Sequence, residues 1–120
     1  FFMTDGRFYR TLELIPNAEM LGSEQLQWLM NELKKSSATF KFIAFGSQVL
    51  NPVSSNETFY KYPEEYKKLM DFILQEKITG VIFLSGDRHH TELLKINRQE
   101  AYPLYDFTCS AITTFRKNTR

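Results

Sequence analysis

The chain has 120 residues with 15 basic and 14 acidic side chains, a net charge of +1. That length fits one domain, and a composition of 42% hydrophobic and 15% aromatic residues excludes a disordered polar chain. Near-neutral charge gives no electrostatic basis for a nucleic-acid partner, no apolar run is long enough to cross a bilayer, and the lone Cys109 excludes an internal disulfide and a Cys₄ or Cys₂His₂ zinc framework.

Phe1-Phe2-Met3-Thr4 reads as a strand already under way, with no initiator Met and no polar lead-in. We therefore expect residues 1–120 to form a single domain that is a piece of a longer one. Asp5-Gly6 marks the turn that ends this strand. Ser23 to about Lys35 predicts a helix, with Ser23 as N-cap, Glu24 in the first turn, and Leu26, Leu29, Met30 and Leu33 on one face. Trp28 lies beside that stripe and is expected to pack. Phe40 to Phe45 follows as a strand, and Gly46 to Tyr62, rich in Ser, Asn and Pro, reads as a long surface loop.

Pro63 at the first position, Glu64 and Glu65 in the first turn, and the stripe Tyr66, Leu69, Met70 and Ile73 predict a second helix to Glu76. Val81 to Leu84 is a buried strand, parallel to the earlier one because a helical pattern separates them. Thr91 to Ile96 and Leu104 to Cys109 suit an antiparallel hairpin turning over Asn97 to Pro103, with Cys109 in a core strand. The expected fold class is therefore α/β (α+β), a mixed sheet flanked by helices.

Chemistry concentrates where the Val81 strand runs into Ser85-Gly86-Asp87-Arg88-His89-His90, which holds both histidines of the chain. Asp87 and His89 are two apart, so an extended backbone projects both to one side, as half of a divalent-metal site. The alternative is that Asp87 caps a turn and the histidines are solvated. Two ligands do not hold a catalytic metal, and nothing in the spacing of Asp5, Asp106 or Cys109 ties them to Asp87. Arg7 and Arg10 either grip a phosphate oxygen or serve as structural ion pairs, Asp5 being the nearest carboxylate. His90 either protonates a leaving group or supports the site from behind. Asn56-Glu57-Thr58 matches a glycosylation sequon by pattern only.

Taken in order, three segments resemble the PhoD-like (alkaline phosphatase D) metallophosphatases. They are Phe2-Met3-Thr4-Asp5-Gly6-Arg7-Phe8-Tyr9-Arg10, Leu21-Gly22-Ser23-Glu24-Gln25-Leu26-Gln27-Trp28-Leu29, and Leu84-Ser85-Gly86-Asp87-Arg88-His89-His90. The tail from Tyr102 to Ala111 is similar to the family's closing strand. The resemblance implies the C-terminal half of an αββα sandwich of the calcineurin-like metallophosphoesterases, with two divalent metal ions (Ca, Fe, Mn or Zn) that activate water against a phosphate ester.

It further implies Asp87 and His89 as metal ligands, with Asp87 where relatives use a His. Arg7 and Arg10 would bind substrate, and His90 and Arg7 would act in catalysis. The remaining ligands belong to a missing N-terminal half, so the isolated piece is expected to be inactive and to self-associate through an exposed apolar sheet face. The resemblance also points to an extracytoplasmic setting. The competing expectations are a non-catalytic scaffold that keeps only the fold, and an unrelated α/β domain in which Asp87 to His90 is only a turn.

Overall fold

The computed structural model describes residues 1–53 and 57–110. Asn56 of the sequon and Ala111 of the closing motif lie outside the described residues. Five strands, β1 (Phe2–Met3), β2 (Lys41–Ala44), β3 (Val81–Ser85), β4 (Thr91–Arg98) and β5 (Ala101–Cys109), and two helices, α1 (Ser23–Lys35) and α2 (Pro63–Gln75), make up the chain, with a short 3₁₀ turn at Phe59–Lys61. The sheet order is β1-β2-β3-β5-β4. Its first four strands run parallel and β4 runs antiparallel to β5, which is the expected mixed sheet.

Side chains alternate across a strand, and the two faces of this sheet diverge accordingly. Ile43, Val81, Phe83 and Leu104 point into one core together with Leu26, Leu29, Met30 and Leu33 of α1 and Leu69 and Ile73 of α2. The opposite face has no layer over it among the described residues. Met3 pairs with Ala44, Ala44 with Leu84, Leu84 with Phe107 and Phe107 with Leu93, an apolar row across all five strands. Met3 is 73% exposed and Leu93 62%. One row below, Phe1 stacks on Phe42 with ring centroids 5.0 Å apart.

Helix α1 starts one residue differently from the sequence expectation. Gly22, not Ser23, is its N-cap, with φ of 81° and no side-chain cap. A Cβ on Gly22 would meet the Tyr9 Cβ at 3.0 Å, so the left-handed turn and the close approach both require glycine. The capping work passes to Glu65 on α2. Its buried carboxylate accepts the amides of Met20 (2.7 Å), Leu21 (3.0 Å) and Gly22 (2.8 Å), fastening the start of α1 to the start of α2. The sequence placed Glu65 in a favourable first turn and missed this role.

The described residues of the 46–62 stretch are not the expected surface loop. Gln48, Val49, Leu50, Asn51, Phe59 and Tyr62 are buried, and Gln48 bridges Thr58. Of the polar residues that suggested solvent, Gln48, Asn51 and Thr58 are used internally. Asn51 Nδ2 donates to Gln48 Oε1 at 2.9 Å, and the amides of Val49 and Leu50 donate to Asp106 Oδ2 at 2.6 and 3.0 Å. The hairpin is tighter than expected, because Arg98 already pairs with Ala101 and Pro103 falls inside β5. Trp28 does not pack into the core but stands 44% exposed. Cys109 ends β5 as expected of a strand residue, but it is exposed, since its position faces the open side of the sheet.

Candidate functional site

Parallel strands finish at one edge of a sheet, and the segments leaving them meet there. Arg7 follows β1, residues 46–53 and then Glu57 follow β2, Gly86 to His90 follow β3, and Ser110 follows β5. Ser110 pins the β3 loop, accepting the Arg88 amide at 3.1 Å and donating to the His90 carbonyl at 3.4 Å.

The extended geometry expected for Asp87 and His89 is not what the loop adopts. The strand stops at Ser85, and both residues take left-handed backbone, with φ of 63° and 57°. Left-handed conformations cost non-glycine residues energy and persist where surrounding contacts impose them. Both side chains are exposed. Asp87 Oδ2 lies 3.9 Å from Arg7 Nη2, and no hydrogen bond or ion pair engages the His89 ring among the described residues. His90 is held more closely. Its Nδ1 donates to the Arg88 carbonyl at 2.9 Å, and its Nε2 lies 3.3 Å from Glu92 Oε2, an ion pair when the ring is protonated.

Arg7 and Arg10 converge on Glu57. Arg7 Nη1 donates to Glu57 Oε2 at 2.9 Å, and Arg10 Nη1 pairs with the same oxygen. Arg10 is otherwise engaged by the Tyr62 hydroxyl (2.7 Å from Nε) and by Glu13 (3.4 Å from Nη2). Burial pulls the Arg10 pKa down, but hydrogen bonds to Tyr62 and Glu57 outweigh it and the net direction is up. Arg7 stands open, with a side chain 65% exposed against 23% for Arg10. The expected pairing with Asp5 does not form. Asp5 Oδ1 instead accepts the amides of Arg7 (2.7 Å) and Phe8 (3.1 Å), and these donors hold its carboxyl below the usual range.

Beneath this edge lies a buried polar network. Gln48 Nε2 donates to Glu92 Oε2 (2.6 Å) and to Thr108 Oγ1 (2.8 Å), and the Ser85 hydroxyl donates to Asp106 Oδ1 (2.7 Å). The Gln48 hydrogen bond, more than the His90 contact, lowers the Glu92 pKa. Asp106, fully buried, has its oxygens taken up by these donors and faces the helix layer.

The structure thus brings Arg7, Arg10 and Asp87 into one ion-pair chain through Glu57, with His89 on the same loop as Asp87. It does not join Asp5, Asp106 or Cys109 to them. Glu57, the hub, was missed because a carboxylate in a polar loop carries no pattern. Glu65 and Asp106 had a readable signal: each is a carboxylate on a buried stripe, at Glu65-Leu69-Ile73 and at Leu104-Asp106-Thr108. As to a metal, Asp87 offers a carboxylate whose one ion-pair contact is the long 3.9 Å approach of Arg7, and His89 offers a ring nitrogen on the same exposed loop. Among the described residues no group of three or more candidate ligands gathers. The donor set fits part of a coordination shell, to be completed by donors from elsewhere.

Comparison with known proteins adds three findings. The profile described as PhoD-like phosphatase matches residues 1–120. A curated protein, alkaline phosphatase D of Bacillus subtilis (strain 168), is 32% identical over 83 residues, which is 62% of this chain and 14% of that protein. A solved structure titled "Structure of PhoD" superposes with a TM-score of 0.78 at 23% identity, covering 93% of this chain and 26% of that one. At that identity the superposition establishes the fold. The chain spans about one seventh of the length of the curated relative it matches.

Proposed function

The chain belongs to the PhoD-like phosphatase family, and from that premise we propose that it carries part of the active site of a metal-dependent phosphoesterase. The observation that supports this reading best is the convergence of Arg7, Glu57 and Asp87, from three separate segments, at the carboxyl edge of the parallel strands. In this reading Asp87 and His89 contribute two ligands to a two-metal centre, whose other ligands come from further chain of the same protein. A bound metal pair would polarise the ester and supply a nucleophilic hydroxide.

The chain's own residues do the rest. The open Arg7 guanidinium grips a phosphoryl oxygen, while Arg10 and Glu57 fix where that guanidinium stands. Arg10 contributes positive charge from behind. His90, anchored through Nδ1 by the Arg88 carbonyl, exchanges the longer Glu92 contact of Nε2 for the departing alcohol and passes it a proton from that nitrogen. Substrate is a phosphate ester, and the extracytoplasmic setting expected from the family is part of this proposal.

The same reading assigns the open sheet face to further chain of the same protein, completing a second layer of the sandwich. An apolar row left in water drives association. Residues 1–120 alone are expected to sediment as a dimer or larger at high concentration, and a clean monomer contradicts the assignment. The direct test of function uses the full-length protein with a chromogenic phosphate ester and added Mn²⁺, Ca²⁺ or Fe. Turnover that chelation abolishes and that Asp87→Ala lowers about 100-fold or more supports the reading. No turnover, or turnover indifferent to Asp87→Ala, overturns it.

A further inference from the structure

Between β1 and α1 the chain builds a cleft of about 690 Å³, with Arg7 and Arg10 beside Leu12, Leu14 and Ile15. Its segment is anchored rather than loose. The Thr11 amide donates to the Glu19 carbonyl at 2.8 Å, the Glu19 amide returns to Thr11 Oγ1 at 2.8 Å, and the Tyr62 hydroxyl donates to the Thr11 carbonyl at 3.3 Å. On this held segment Leu12 is 76% exposed, Leu14 97% and Ile15 45%. Three aliphatic side chains fixed in water, all in one cleft, mark a surface that an apolar body covers.

The charge at that cleft says what carries the apolar body. Glu13, the acidic residue of the lining, is paired with Arg10 (3.4 Å) and Lys61 (3.1 Å), so it is neutralised locally. Arg10 is held by Glu57, Glu13 and the Tyr62 hydroxyl. The more exposed cationic group of the lining is Arg7, 65% exposed; its Nη1 is paired with Glu57 at 2.9 Å, and its Nη2 has only the long 3.9 Å contact to Asp87, which leaves that end open to an incoming anion. A molecule with one anionic head and an aliphatic tail therefore satisfies both ends of the cleft, whereas a polyol or sugar would leave the leucines in water.

We propose that this cleft is a specificity site for phosphate esters whose alcohol portion is an alkyl chain, with the phosphoryl group at Arg7 and the chain along Leu12, Leu14 and Ile15. The proposal rests on the phosphoesterase reading for the identity of the head group, and its test separates the two. Octylphosphonate and methylphosphonate, neither of which can be hydrolysed at the P–C bond by ester cleavage, are titrated into the full-length protein by calorimetry below the micelle concentration of the octyl compound. Burial of methylene groups predicts octylphosphonate binding at least about tenfold tighter. The double variant L12S/L14S is expected to bring that ratio below about threefold. Arg7→Gln is expected to weaken both ligands alike.

Equal affinity of the two phosphonates, a ratio unmoved by L12S/L14S, or no binding of either overturns the proposal, as happens if another protein segment covers the leucines. Octyl phosphate and glycerol phosphate are assayed for turnover alongside. A tenfold phosphonate preference with neither ester hydrolysed sustains the cleft and removes the phosphoesterase reading. Hydrolysis of both esters with equal phosphonate affinities removes the cleft and leaves that reading standing.

Discussion

Asp106 and Asp87 sit on adjacent strands of the sheet or just past them, and they meet opposite environments. Asp106 is fully buried and accepts the Val49 and Leu50 amides and the Ser85 hydroxyl. Asp87 is exposed, on left-handed backbone, with one guanidinium at 3.9 Å. A carboxylate enclosed by hydrogen-bond donors is a fastener for the fold, because removing it strands donors that have no water to turn to. A carboxylate left without close donors at the carboxyl edge of parallel strands is available for a ligand. The same contrast separates Glu65, wrapped by three amides, from Glu57, which serves two arginines beside the open site.

The sharpest way to break that contrast is to remove each carboxylate and read stability. Asp106→Ala is expected to cost about 3–5 kcal/mol, since two amides and a hydroxyl lose their acceptor in the interior. Urea denaturation measures it, and a cost under ~1 kcal/mol would mean that residues 46–51 do not depend on Asp106. Glu65→Ala follows at about 2–3 kcal/mol, as three amides at the start of α1 lose their acceptor. If instead it proves neutral, water replaces the carboxylate and the α1–α2 fastening is dispensable.

Tyr66 gives a smaller effect with a defined pH window. Burial is the main cause that pushes its hydroxyl from 10 up to about 12. The folded state thus favours the neutral phenol, so its contribution is complete below about pH 10 and is lost as the pH rises through about 12. The denaturation midpoint should fall over that window in the wild type and fall less in Tyr66→Phe. Identical alkaline profiles would show that the ring is solvated. The smallest effect is expected at Asp87→Ala, within about 0.5 kcal/mol of wild type, because an exposed carboxylate with one long contact adds little stability.

Much of the fold was legible because it rests on periodicity. The i, i+3, i+4 stripe from Leu26 to Leu33 and the short apolar run Val81 to Leu84 fall where they were expected, and the helical stretch between strands dictated parallel pairing. What escaped were interactions between distant side chains and backbone. The polar residues of 46–62 look like solvent-facing loop until Asp106 and Thr108 supply partners about 60 positions away. The cap of α1 comes from Glu65 through contacts that no local spacing encodes. At the candidate site, the order of the motifs singled out Arg7, Arg10, Asp87 and His89 as candidates. Their geometry was not legible, because alternation along a strand holds only while the backbone is extended, and β3 ends two residues before Asp87.

Metal content tests the comparison most directly. The full-length protein is loaded with Mn²⁺ or Zn²⁺, dialysed, and assayed by elemental analysis alongside Asp87→Ala. The account predicts that Asp87→Ala keeps wild-type stability and loses about one equivalent of bound metal. A variant that retains the full metal complement would contradict it, and Asp87 would then be a surface carboxylate with no part in the site.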